Sequence, residues 1–235
     1  MAGGHHVGPT SPCQQYRMPS QNTLDAATAA TAPVTGFLRG VERRAALLAE
    51  LQCGELARGD QALEAAIQTF AETCEATPSS GWPLLFWSTL LQTPILNAEP
   101  VAPFWDGDFA PLARLDFGTR AVLLLRVVAG LDDGLAAEVF GVAPPEFKQA
   151  LQRALPQRED GSLDGEAWLA MNDEARYLLT HLPADRVAAI ARLRDAALAA
   201  ALTAADPRPA PRAVAGLPLG KPRWLGKLWT GMGLG

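Results

Sequence analysis

The chain has 235 residues, of which 49% are hydrophobic and 19% charged, with a formal net charge of −5. That is enough apolar material for one sizeable core or two small ones. Residues 207–235 contain Arg208, Arg212, Lys221, Arg223 and Lys227 and no acid, so this segment is +5 and the remainder −10. A body this acidic excludes DNA binding through bulk charge, because phosphates repel it; any DNA contact has to come from a locally basic face.

Alanine and leucine dominate and little of the chain alternates with period two, so the expected fold class is all-α. The expected organisation is two small helical units, the second a helix-turn-helix, between disordered N-terminal and C-terminal tails. Three cysteines, Cys13, Cys53 and Cys74, without CxxC spacing read as free thiols in a reducing compartment. The first 35 residues hold no signal-peptide-like apolar run, and no stretch reaches the ~18 apolar residues that a membrane span needs. The expectation is a cytoplasmic protein.

Residues 1–35 are rich in Gly, Pro, Ser, Thr, Gln and Ala and are expected to be disordered. His5 and His6 lie there without further metal ligands. A first helix is expected from about Gly36, with Phe37, Val41, Leu48 and Leu51 near one stripe and Glu42, Arg43 and Arg44 off it. Asp60 reads as the N-cap of a second helix, in which Leu63, Ile67, Phe70 and Cys74 recur at steps of four, three and four. "TPSSGWP" breaks that pattern and "LLFWSTLLQTP" resumes it. Trp82, Phe86, Trp87 and Leu90 are expected to pack the first two helices, which makes residues 36–96 one helical unit. Residues 97–111, "NAEPVAPFWDGDFAP", read as a linker held to the body through Phe104 and Trp105.

A second unit is expected over 112–158. "TRAVLLLRVVAG" is an apolar helix stopped by Gly130; Asp132 or Asp133 can cap "GLAAEVF". Gly141 and Val142 follow, then a helix opened by Pro144 and Pro145, which a first helical turn tolerates because its N–H groups lack internal partners. A helix-turn-helix needs a small residue where its helices pass closest, a turn residue that accepts a positive φ, and an apolar wedge from the second helix. Ala137, Gly141, and Phe147 with Leu151 meet those demands in order, with Val142 filling from the turn. Further helices are expected over 159–206, the last capped by Asp185. Residues 207–235 form a basic tail containing proline and tryptophan, suited to a membrane surface or a partner groove.

The stretch from Leu115 to Leu155 resembles the C-terminal promoter-reading domain of bacterial RNA polymerase sigma factors of the extracytoplasmic-function type. "RAVLLLRVVAGL" is similar to that family's first helix, "LAAEVFGV" to its helix and turn, and "FKQALQRAL" to its reading helix. The matching positions are Arg120, Leu125, Arg126, Ala137, Glu138, Gly141, Val142, Phe147, Lys148, Leu151, Arg153 and Ala154. The resemblance implies a transcription initiation regulator without catalytic activity or cofactor. Its partners would be double-stranded promoter DNA and RNA polymerase core, with residues 36–96 standing where the family grips polymerase. It further implies DNA contacts by Arg120, Lys148, Gln149, Gln152 and Arg153. An anti-sigma factor or a membrane surface is a possible partner for the tail.

The departures from the family matter. Glu146, Gln149 and Ala150 stand where relatives often carry Thr, Ser and Arg, and Glu146 repels phosphate. Between Leu112 and Arg158, six basic residues face five acids, a thin excess for a DNA reader. The competing reading is therefore a helical interaction module that does not bind DNA. Catalysis has little to stand on: His181 sits beside Pro183 near a helix end, and there is neither a phosphate loop nor an HExxH motif.

Overall fold

The structure is a computed structural model that describes residues 21–98 and 103–204, with side chains from residue 32 onward. The fold is all-α. Among the described residues no strand forms, and a single antiparallel bridge pairs Gln157 with Leu163.

The first helix, α1, spans Gln21–Cys53, with Pro33 inside it. It begins at Gln21, before Gly36, where the sequence pattern places its start.

From Phe37 the chain forms a body of its own. α2 (Leu56–Thr73) returns along α1 after the positive-φ turn at Gly54. The two helices approach closely at Gly59, where an added Cβ would lie 2.6 Å from the backbone nitrogen of Glu50. Asp60 is not the N-cap: α2 starts at Leu56, and Asp60 faces Arg186 across a 2.8 Å ion pair. α3 (Trp82–Gln92) then closes an aromatic cluster in which Phe37, Phe70, Trp82, Phe86 and Trp87 meet in edge-on or tilted pairs, with centroids 5.2–5.9 Å apart. Such pairs contribute about 0.5–1.5 kcal/mol each beyond the area they bury. The Trp82 indole N–H donates to the carbonyl of Thr77 at 3.0 Å, so burial of this ring leaves no polar atom unmet. Cys53 and Cys74 are buried free thiols, whereas Cys13 lies outside the described residues.

A short α4 (Pro94–Asn97) and a 3₁₀ segment, Gly107–Arg114, lead to α5 (Phe117–Val127). α6 (Asp133–Phe140), α7 (Pro144–Ala154), α8 (Gly165–Thr180) and α9 (Ala184–Ala204) follow. Asp185 lies inside the first turn of α9 rather than capping it.

Residues 97–111 do not separate two independent units, as the composition had implied. α3 packs on α6, and α9 packs along α2. The Arg44 guanidinium donates to the carbonyl of Ala129 at 3.2 Å, and the Gln52 amide donates to that of Phe117 at 3.0 Å. Trp105 anchors this stretch by donating to the Leu51 carbonyl at 2.7 Å, while Phe104 stays 71% exposed. Periodicity reveals which face of a helix is apolar, not which other helix will cover it, so this merging could not be read from the pattern.

Glu42 also departs from expectation. Read as lying off the apolar stripe, it is buried and accepts bonds from Arg194 at 2.9 and 3.1 Å. Arg194 is itself buried and also binds Asp195 at 2.8 Å. Burial works to lower the Arg194 pKa, but the bonds to Asp195 and Glu42 outweigh it and hold the guanidinium above its usual value. This pair ties α9 to α1 across 152 positions. No helix among the described residues is long and apolar enough to cross a membrane.

Candidate nucleic-acid interface

α5, α6 and α7 pack against one another, and local chemistry sets their limits. Asp116 caps α5 by accepting from the Thr119 N–H, and Asp132, rather than Asp133, caps α6 by accepting from the Leu135 N–H at 2.9 Å. Gly141 ends α6 with φ +66°. The Val142 N–H reaches back to the Ala137 carbonyl at 3.0 Å, and the Gly141 N–H to the Glu138 carbonyl at 2.9 Å. This is a Schellman stop, and its left-handed position is what glycine supplies without steric cost. α7 begins with Pro144 and Pro145, and the Glu146 carboxylate accepts from the Ala143 N–H at 3.1 Å. Ala143 has no side-chain acceptor to return that bond, so only half of a capping box is present.

The elbow therefore turns as the sequence pattern required. Ala137 is fully buried, Phe147 is 1% exposed, and their neighbours Val142 and Leu151 are half-buried. The Phe147 ring meets Phe140 across the angle at 5.9 Å. With Phe147, Leu151 and Ala154 turned inward, the rest of α7 faces out at about 100° per residue. Lys148, Gln149, Gln152 and Arg153 all lie on that exposed arc, as does Glu146. Among the described residues, none of the side chains of Lys148, Gln149, Gln152 or Arg153 is engaged by another group.

Arg120 does not belong to this surface, contrary to the expectation that it touches DNA. It is 7% exposed and spends its guanidinium inside the body. Its Nη1 donates to the Gln52 carbonyl at 3.0 Å, Nη2 to that of Leu115 at 2.6 Å, and Nε to that of Leu112 at 3.2 Å. The guanidinium carbon lies 4.2 Å from the centre of the Trp105 ring. Burial lowers the Arg120 pKa, with Asp116 pulling it back up. The residue joins α1, the 3₁₀ segment and α5, and no DNA can reach it.

Two arginines outside the expected contact set stand near α7. Arg114, at the end of the 3₁₀ segment, and Arg158, in the turn after α7, line a groove of about 470 Å³ together with Arg153. Among the described residues, none of these three side chains has a carboxylate or carbonyl partner. The groove's acid, Asp164, is occupied in capping α8 through the Ala167 N–H at 3.1 Å. Three cations against one engaged carboxylate make this face locally basic. The spacing of 39 positions between Arg114 and Arg153 carries no helical signature, so only the fold brings them together.

Comparison with protein-family models, with curated proteins and with solved structures returns no match to this chain. The residues themselves must therefore carry the functional reading. The basic tail from Pro207 onward, on which the expectation of a membrane or anti-sigma partner rests, lies outside the described residues.

Proposed function

We propose that the protein is a divergent sigma-factor-like transcription regulator in which α5, α6 and α7 form a DNA-reading helix-turn-helix. α7 enters a major groove of promoter DNA. Lys148, Gln149 and Gln152 face base edges, where glutamine can bind adenine and lysine guanine. Arg153, with Arg114 and Arg158, holds flanking phosphates, which fix register without reading sequence. With so few phosphate contacts the protein depends on RNA polymerase core, engaged by the remaining helices, to stay at a promoter.

The observation that carries this reading is the sorting of α7. Phe147 locks the helix into the elbow while four hydrogen-bonding side chains project from its opposite face and, among the described residues, engage nothing else. The test is a salt titration of binding to duplex DNA, with and without polymerase core. Arg114→Ala and Arg158→Ala should each shallow the salt slope by about one unit on every duplex. Gln149→Ala and Gln152→Ala should change sequence preference instead. Lys148→Glu with Arg153→Glu should abolish promoter binding while polymerase binding persists.

The burial of Arg120 and the presence of Glu146 on the exposed arc favour one second reading. In it, the same helices form an interaction module for a protein such as a sigma or anti-sigma factor. Failure to bind DNA in low salt, both alone and with polymerase, would select that reading.

A further inference from the structure

The body carries a second groove, of about 570 Å³, between α1, the start of α2, the Phe104–Phe109 stretch and α8. Its apolar lining includes Leu51, Leu56 and Phe104, the last two unusually open to solvent at 46% and 71%. Around them stand Glu50, Glu55, Asp106, Asp108 and Glu174. Glu50 faces Arg186 at 3.9 Å, while the other four carboxylates have no cation partner among the described residues. A surface that is apolar in its floor and anionic at its rim repels DNA and anionic lipid. It suits a segment that mixes aromatic side chains with cations.

This chain contains such a segment. Residues 221–232, "KPRWLGKLWTGM", place Lys221, Arg223 and Lys227 among Trp224, Leu225, Leu228, Trp229 and Met232, with no acid anywhere from Pro207 onward. It follows the last described helix, and the 20 positions from Ala204 to Trp224 can extend over about 65 Å. A compact body of this length is only about 40 Å across, so the segment can reach any face. A tether of that length gives an effective concentration near the millimolar range, well above that of a separate copy in dilute solution.

We propose that residues 221–232 dock in this groove of the same chain, Trp224 and Trp229 covering the apolar floor and the three cations facing the carboxylate rim. The docked segment covers Phe104 and Leu56 and withholds its own cations from any anionic partner. This inference is independent of how α7 is used.

Hydrogen exchange of the full-length chain tests it, read at the backbone amides of residues 105–108 in four forms. These are the natural chain, a tail variant (K221E, R223E, K227E), a groove variant (E55K, D106K, D108K), and the two sets combined. Docking predicts that exchange rises about fivefold or more in the tail variant and in the groove variant, and falls back when the charges are exchanged on both sides. W224A with W229A should also raise it without altering charge. Amides of α5 serve as the folding control, and the tail variant carries the test should the groove variant fail to fold. Equal exchange in the natural chain and the tail variant overturns the proposal. Protection that disappears on dilution overturns it too, since the occupant would then be the tail of a second copy.

Discussion

Replacing Arg120 separates an internal clamp from a DNA contact. Arg120→Ala leaves three carbonyl oxygens, on Gln52, Leu112 and Leu115, without their donors and removes the cation stacked on Trp105. Hydrogen bonds to a charged group contribute about 1.5–3 kcal/mol each, but partial rehydration makes the three far from additive. An overall loss of about 3–5 kcal/mol is expected, a large part of the 5–15 kcal/mol typical of a whole domain. Arg120→Lys keeps the charge but cannot span three acceptors with a planar fork, so it should recover less than half of that loss. Urea unfolding followed by circular dichroism measures both variants. Midpoints within about 1 kcal/mol of the natural chain for Arg120→Ala, with DNA affinity reduced, would refute the clamp and restore the residue to the interface.

Three further outcomes follow from the geometry. Gly59→Ala should destabilise by about 1–3 kcal/mol, because its Cβ meets the backbone of α1; Gly141→Ala has open space around it and should cost only about 1 kcal/mol for its φ of +66°, both read from thermal or urea midpoints. Arg194→Met alone should cost about 3–5 kcal/mol by stranding the buried Glu42, whereas Arg194→Met with Glu42→Leu should recover most of it in a double-mutant cycle. Glu50 has a pKa raised chiefly by burial, against the pull of Arg186 and with a push from Asp60. Its neutral form therefore favours the folded state: the stability it contributes is complete below the unfolded pKa and is lost as pH rises through the folded one. Glu50→Gln should then flatten the stability–pH curve above pH 4.5, measured by urea unfolding across pH.

The parts legible in the sequence are those set by local chemistry. Gly130 and Gly141 both take positive φ, Asp132 caps α6, and Pro144 and Pro145 open α7, because each depends on neighbours within a few positions. The inward turn of Phe147 and the outward turn of Lys148 and Arg153 follow from helical spacing for the same reason. Contacts between distant segments were not legible. Arginine usually marks a surface, but the Gln52 carbonyl, 68 positions away, joins those of Leu112 and Leu115 in closing around Arg120. Glu42 was misplaced by the same rule, since its partner lies on the last described helix. Arg114 stands 39 positions before Arg153, so nothing in the sequence spacing places it beside that residue.

The seating of α9 on α2 has a consequence for synthesis. A nascent chain that has finished α2 still lacks α9, the helix that packs along it, which begins 111 positions after Thr73. At about 5–20 residues per second, the ribosome takes roughly 5 to 20 seconds to supply it. During that interval the Glu42 carboxylate has no arginine to meet, so its burial against α9 waits on the arrival of Arg194.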